Sequence, residues 1–215
     1  MADTPLSSIE VRWFFEGPAR EHEDLFRWLE SIGVEEPEWR GRLDDQPDLY
    51  LALPGADDLG IKWREGEFQV KGRGAMLGLQ CFAGRHRGHL DRWQKWCYRD
   101  LSKTWRSMFT RRSLAVSKSR AMQKFELDTF TGALQQVTVD SFIDRGLGVE
   151  VTDIEVQGQA WTSLGFEAFP DDSAMIGHFI TAVDQLLASL EGVELDEEAS
   201  LSYPAWLQTL IESDS

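Results

Sequence analysis

Four cations recur at alternate positions in LGIKWREGEFQVKGR, residues 59–73: Lys62 and Arg64, then Lys71 and Arg73. The segment SKSR adds Lys118 and Arg120 with the same spacing. Along a β-strand, successive side chains point to opposite faces, so residues i and i+2 lie side by side. Each pair therefore sets two cations on one surface and leaves Ile61, Trp63 and Val70 on the other. Carboxylates able to join them are Glu10, Glu126, Asp128, Glu150, Glu155 and Glu167. Arginine and lysine hold phosphate oxygens, and carboxylates hold a hard cation. Such a set suits a polyphosphate whose charge is shared with Mg²⁺ or Mn²⁺. A metal placed there stabilises charge that develops as a phosphoryl group leaves its neighbour.

These side chains meet only if the strands carrying them curve round a common interior. IEVRWFFEG (9–17) alternates as a strand, with Ile9, Val11, Trp13 and Phe15 opposite Glu10, Arg12 and Phe14. Pro18 opens a helix to Gly33, residues 34–47 read as loop, and DLYLALPG (48–55) as a short strand. The hairpin turns at Glu65-Gly66, and AMLGLQCF (75–82) is a further strand. In HLDRWQKWCYRDL, Leu90, Trp93, Trp96, Cys97 and Leu101 keep helical spacing, which predicts a helix within 84–112. SLAVSKSR, QKFELDTF, QVTVDSFI, GVEVTDIEVQ and AWTSLGFEAF read as strands. A helix capped by Ser173 runs to Gly192, and YPAWLQTLI (203–211) is a last short helix. The expectation is one α+β domain: an antiparallel tunnel or barrel of about eight to ten strands with flanking helices and a helical extension over 173–215. Cations face inward, and the helices at 19–33 and 174–191 cover Ile61, Trp63 and Val70.

The 215 residues carry a formal charge of −15, yet the charge is segregated. Residues 60–124 hold 16 Lys/Arg against 4 Asp/Glu, while ten acids and no Lys or Arg follow from Asp171 onward. Overall acidity argues against a general nucleic-acid binder, and the basic middle argues for an anionic partner, whether small molecule or polymer, with a triphosphate or polyphosphate the expected small molecule. Simple neutralisation of that middle by the acidic flanks is the competing explanation. No stretch is long and apolar enough for a membrane span, and the N-terminus lacks a secretory pattern, so a soluble cytoplasmic chain is expected. Cys81 and Cys97 are the only cysteines. The sequence leaves the oligomeric state open.

The order IEVRWFF, LGIKWREGEFQVKGR, SKSR and EVTDIEV resembles the CYTH, or triphosphate tunnel, superfamily over roughly residues 8–190. The resemblance implies an eight-stranded tunnel that binds triphosphates through inward Arg and Lys, with metal held by Glu. Lys62, Arg64, Lys71, Lys118 and Arg120 fall on the basic positions, with Arg73 beside them, and Arg12 joins them as a candidate substrate-binding residue. Glu10, Glu150, Glu155 and Glu167 become the candidate metal ligands. The family opens with Glu-x-Glu-x-Lys, whereas this chain reads Glu10-Val11-Arg12-Trp13-Phe14. Arg12 thus stands where a metal-side carboxylate is expected, and Phe14 where a cation is. Glu150 and Glu155 have opposite parity, so both face inward only if a bulge separates them. Two functions follow: a metal-dependent triphosphatase-type hydrolase, or a non-catalytic module holding an anion or a protein surface. His86-x-x-His89 and Ser113, Ser117 and Ser119 form no catalytic constellation.

Overall fold

The computed structural model describes residues 5–33, 46–51, 53–99 and 113–213. Nine strands form one antiparallel sheet: β1 (Leu6–Glu16), β2 (Asp48–Leu51), β3 (Leu59–Arg64), β4 (Glu67–Phe82), β5 (His86–Tyr98), β6 (Ser113–Leu127), β7 (Leu134–Val137), β8 (Gly146–Val156) and β9 (Gln159–Phe169). Eight of them close in the order β2-β3-β4-β5-β1-β9-β8-β6, with β2 returning to β6. The closing edge of β6 is shared. Residues 113–116 pair with β2, and the extra strand β7 pairs farther along with 124–127. Closure leaves most strand edges paired and defines an inside.

The hairpin at 59–73 forms as its alternation predicts. Lys62 pairs with Gln69 and Ile61 with Val70, across a turn in which Glu65 and Gly66 both have positive φ (48° and 89°). That is the backbone twist a two-residue hairpin requires, and glycine adopts it without strain. The two segments read as 67–73 and 75–82 are one strand, β4, bent by irregularities between Arg73 and Ala75 and between Met76 and Gly78. Likewise 113–120 and 123–127 are one strand, β6. QVTVDSFI contributes only its start, since β7 ends at Val137.

The helix expected within 84–112 is instead β5 from His86 to Tyr98; residues 100–112 lie outside the described set, as do 34–45. The stretch satisfies both periods. His89, Asp91, Trp93 and Lys95 alternate as well as Leu90, Trp93, Trp96 and Cys97 step helically. Trp and Tyr favour strands, and pairing with β4 on one side and β1 on the other decides the outcome.

Helices α1 (Glu23–Ser31) and α2 (Ser173–Leu187) lie against the outside of the barrel. Asp172, not Ser173, caps α2: its carboxylate accepts from the Met175 amide at 2.9 Å. Under the two helices, Ile9, Val11, Trp13, Val149, Val151, Leu164 and Phe166 form the main core with Leu25, Trp28, Phe179 and Val183. Ile61 and Val70 are only partly buried and belong to neither core, so the helices cover β1, β8 and β9 rather than the hairpin.

A second core fills one end of the barrel. The last helix, α3 (Tyr203–Ser213), inserts Trp206, Leu207 and Leu210 among Phe14, Val116, Ile154 and Val156. Phe14 lies flat on Trp206, with ring centroids 4.6 Å apart. Its amide also donates to the Ala199 carbonyl, tying the incoming segment to β1. No described helix is long and apolar enough to cross a membrane.

Candidate functional site

Inside the barrel, above the floor made by α3, lies a cavity of about 300 Å³. Strand parity fixes its lining. Glu10 and Arg12 come from β1, Lys62 and Arg64 from β3, and Gln69 and Lys71 from β4. Asp91, Trp93 and Lys95 come from β5, Lys118 and Arg120 from β6, Glu150 from β8 and Glu167 from β9. Tyr50 of β2 and Tyr203 of α3 complete it. Nearly all the candidate site residues thus converge. Arg73 shares their face but not the cavity wall: Asp57 and Asp91 bind it at 2.9 and 3.6 Å. Glu155 is overturned as a site residue. The register of β8 runs unbroken from Gly146 to Val156, so Glu155 keeps the parity opposite to Glu150 and is exposed on the outside. Glu126 and Asp128 are exposed too.

One wall carries crowded positive charge. Asp48, buried behind it, is the shared partner of Lys62 (3.0 Å), Arg64 (2.9 Å) and Lys118 (3.8 Å). Lys118 also donates to Tyr50 Oη at 2.6 Å and lies over the Tyr203 ring, 3.7 Å from its centre. Burial, with Lys62 and Arg120 close by, pushes the Lys118 amine well below the usual lysine range. Burial likewise lowers Lys62 to about 8, although Asp48 works the other way. Arg120 makes only a 3.7 Å contact from Nε to Glu150. Three cations on one carboxylate, with a fourth loosely held, leave this wall positive.

The opposite wall is internally paired. Glu10, flanked by Asp91 on β5 and Glu167 on β9 in the cross-strand register, binds Lys71 and Ser8. Burial alone would raise Glu10, but Lys71 outweighs it and the pKa falls. Glu167 remains open to cavity water while ringed by protein. This confinement and the charge of Glu10 raise it to about 7.

Arg12, in the place where the resemblance expects a carboxylate, reaches Glu150 at 2.6 Å and Ser163 Oγ at 2.9 Å. It can do so because Gly165 lies between them in the register. A Cβ there would stand 2.6 Å from the guanidinium carbon. Against the cost of burial, Arg12 and Arg120 hold Glu150 down at about 2. Arg12 thus neutralises Glu150 as a bound cation would.

A divalent cation needs several converging oxygen ligands. Among the described residues, no group of three or more His, Cys, Asp or Glu side chains gathers in that way. Glu150 is taken by two arginines and Glu10 by Lys71. As arranged, these carboxylates do not fit a resident Mg²⁺ or Mn²⁺.

Sequence reasoning missed Asp48, Tyr50, Gln69, Asp91, Lys95 and Tyr203. Asp48 and Tyr50 alternate in DLYL, so the strand signal was present. Asp91 and Lys95 were hidden by the helical reading. Nothing local marks Tyr203, which enters from a helix 53 residues beyond Glu150 in the chain.

No family model matches the chain, and no curated protein is significantly similar to it. Among solved structures, a proposed adenylate cyclase from Bacillus halodurans is similar over 87% of this chain and 95% of that one, at 13% identity and a TM-score of 0.38.

Proposed function

We propose that the chain binds a small polyanion, a triphosphate or comparable polyphosphate, in the basic half of its barrel and without a resident metal. The observation that supports this most is the gathering of Lys62, Arg64 and Lys118 on Asp48, with Arg120 beside them and only 3.7 Å from Glu150. Burying like charges together is unfavourable unless something compensates them. An anion in the cavity supplies that compensation, and charge-assisted bonds from Lys and Arg to phosphate oxygens are among the stronger ones available. An anion beside Lys62 and Lys118 favours the charged form of both amines, which burial disfavours. Lys95, which lines the cavity without an ion pair among the described residues, adds a further cation.

Hydrolysis is not part of this proposal. The family resemblance assigns metal to Glu10, Glu150, Glu155 and Glu167, but Glu155 faces outward, and Arg12 and Lys71 already neutralise Glu150 and Glu10. Mg²⁺ or Mn²⁺, where present, enters as the counter-ion of the polyphosphate. The test is calorimetric titration with tripolyphosphate in EDTA and in Mn²⁺, alongside an assay for released phosphate. Binding that persists in EDTA, without phosphate release, is expected. Binding that requires Mn²⁺, or Mn²⁺-dependent release of phosphate, overturns the proposal.

A further inference from the structure

The sheet has one open edge. β7 ends the strand order, and among the described residues nothing pairs with its far side. The Asp128 amide donates to the Ala133 carbonyl, which sets the alternation: residues 133, 135 and 137 turn their backbone groups to β6. Leu134 and Gln136 therefore turn both N–H and C=O to the open side. β7 is short, but its LQQV carries no charge or proline, and its register with β6 has no bulge. Those are the devices that usually keep an edge from pairing.

A phenylalanine on a fixed turn stands beyond each end of this strand. Phe130, 99% exposed, sits between β6 and β7, where Asp128 Oδ1 accepts from the Phe130 and Thr131 amides at 2.8 and 3.1 Å. Phe142, 91% exposed, follows β7 in a loop seated by the buried Ile143 and by the Ser141 amide, which donates to the Thr138 carbonyl.

We infer that β7 is the contact between two copies of this chain, paired antiparallel across a two-fold axis through Gln135. In that register Leu134 of one copy exchanges both backbone bonds with Gln136 of the other, and the axis repeats the exchange. Gln135, exposed and uncharged, meets its own copy on the axis as a close pair without repulsion. The same register brings Phe130 of each copy to the Phe142 loop of the other. A phenylalanine buries about 150–250 Å², so the two supply roughly 300–500 Å² of the ~800 Å² per partner found in stable interfaces. The strand edge and its glutamines supply more. A second copy fits this edge because the edge complements itself: donors meet acceptors, a neutral pair meets on the axis, and each phenylalanine meets another. The contact is independent of what the cavity holds.

Sedimentation equilibrium of the full chain across a wide range of concentration tests this. A monomer–dimer equilibrium is expected, and Phe130→Ser and Phe142→Ser should each weaken it at least about tenfold. Both side chains are exposed, so each variant, melted at a concentration where the wild type is monomeric, should keep the wild-type melting temperature. Gln135→Lys and Gln135→Glu should each weaken the dimer by up to about fivefold, because like charges then face each other across the axis. An equimolar mixture of those two proteins should dimerise more tightly than either alone. A monomer at every concentration overturns the inference, whether or not a strand of another protein uses the edge. A dimer indifferent to all four substitutions overturns it too, by placing the contact elsewhere. Charge variants whose mixture gains nothing overturn the two-fold pairing through Gln135.

Discussion

Replacing Lys118 with methionine separates a binding lysine from a structural one. In Lys118→Met the side chain keeps its length and loses its charge. Lys62 and Lys118 both rest on Asp48 Oδ2, at 3.0 and 3.8 Å. Their nitrogens are therefore at most about 7 Å apart, and at an effective dielectric near 20 two unit charges there repel by roughly 2 kcal/mol. Against that relief stand the Tyr50 bond and the tyrosine ring contacts, together worth about 1–3 kcal/mol. Asp48 is not orphaned, because Lys62 and Arg64 remain at 3.0 and 2.9 Å. The unliganded variant should therefore unfold in urea within about 1 kcal/mol of the wild type, whereas breaking a needed buried pair costs about 3–5 kcal/mol. Affinity for tripolyphosphate should fall by about 1.5–3 kcal/mol, roughly ten- to a hundredfold. A loss of about 3 kcal/mol or more in stability with unchanged affinity would show that Lys118 is needed by Asp48 and not by a ligand, refuting the idea of surplus charge.

Arg12→Glu should place two carboxylates side by side where an ion pair stood, costing about 3–5 kcal/mol, and Mn²⁺ should restore part of the loss in thermal melts. Gly165→Ala should displace the Arg12 guanidinium and weaken its hold on Glu150, giving a smaller loss by urea denaturation that disappears in the Arg12→Ala background. Lys62 titrates at about 8 when folded against 10.5 unfolded, so the unfolded chain binds more protons in that window. Stability should rise with pH between those values, and a Lys62→Met protein followed over the same pH range should lose that rise. Phe14→Lys would restore the opening cation of the resembled family, but here it should unseat Trp206, costing about 3–5 kcal/mol and exposing α3 to limited proteolysis.

The barrel and most of its lining were legible because strand alternation is a local signal with long-range consequences. In the hairpin, cations alternate with Ile61, Trp63 and Val70, and a single parity choice sets Lys62, Arg64 and Lys71 together. Glu155 shows the same rule excluding a residue: without a bulge, an odd position on β8 cannot join an even one. The signal failed where two periods overlapped, as across His86–Tyr98, since tryptophans three apart fit a helix or two faces of a strand equally. It also failed where partners are remote. That Asp48 would face Lys118 besides Lys62 and Arg64 depends on β2 closing onto β6, and pairings that distant leave no mark in either segment. The meaning of Phe14 emerged only with its partner: an apolar residue where a charge was expected is the seat for Trp206.

The floor of the barrel also constrains how a polymer could be handled. Trp206 is fully buried among side chains from β1, β6 and β8, so no strand of linear polyphosphate or nucleic acid can run in at one end and out past α3. Only a chain terminus, or a molecule short enough to be swallowed whole, reaches Lys118 and Arg120. Arrival and departure on that axis share one route, and whatever occupies the bottom must leave before its successor descends. If a polyphosphate binds as proposed, the C-terminal helix sets the depth to which it can descend.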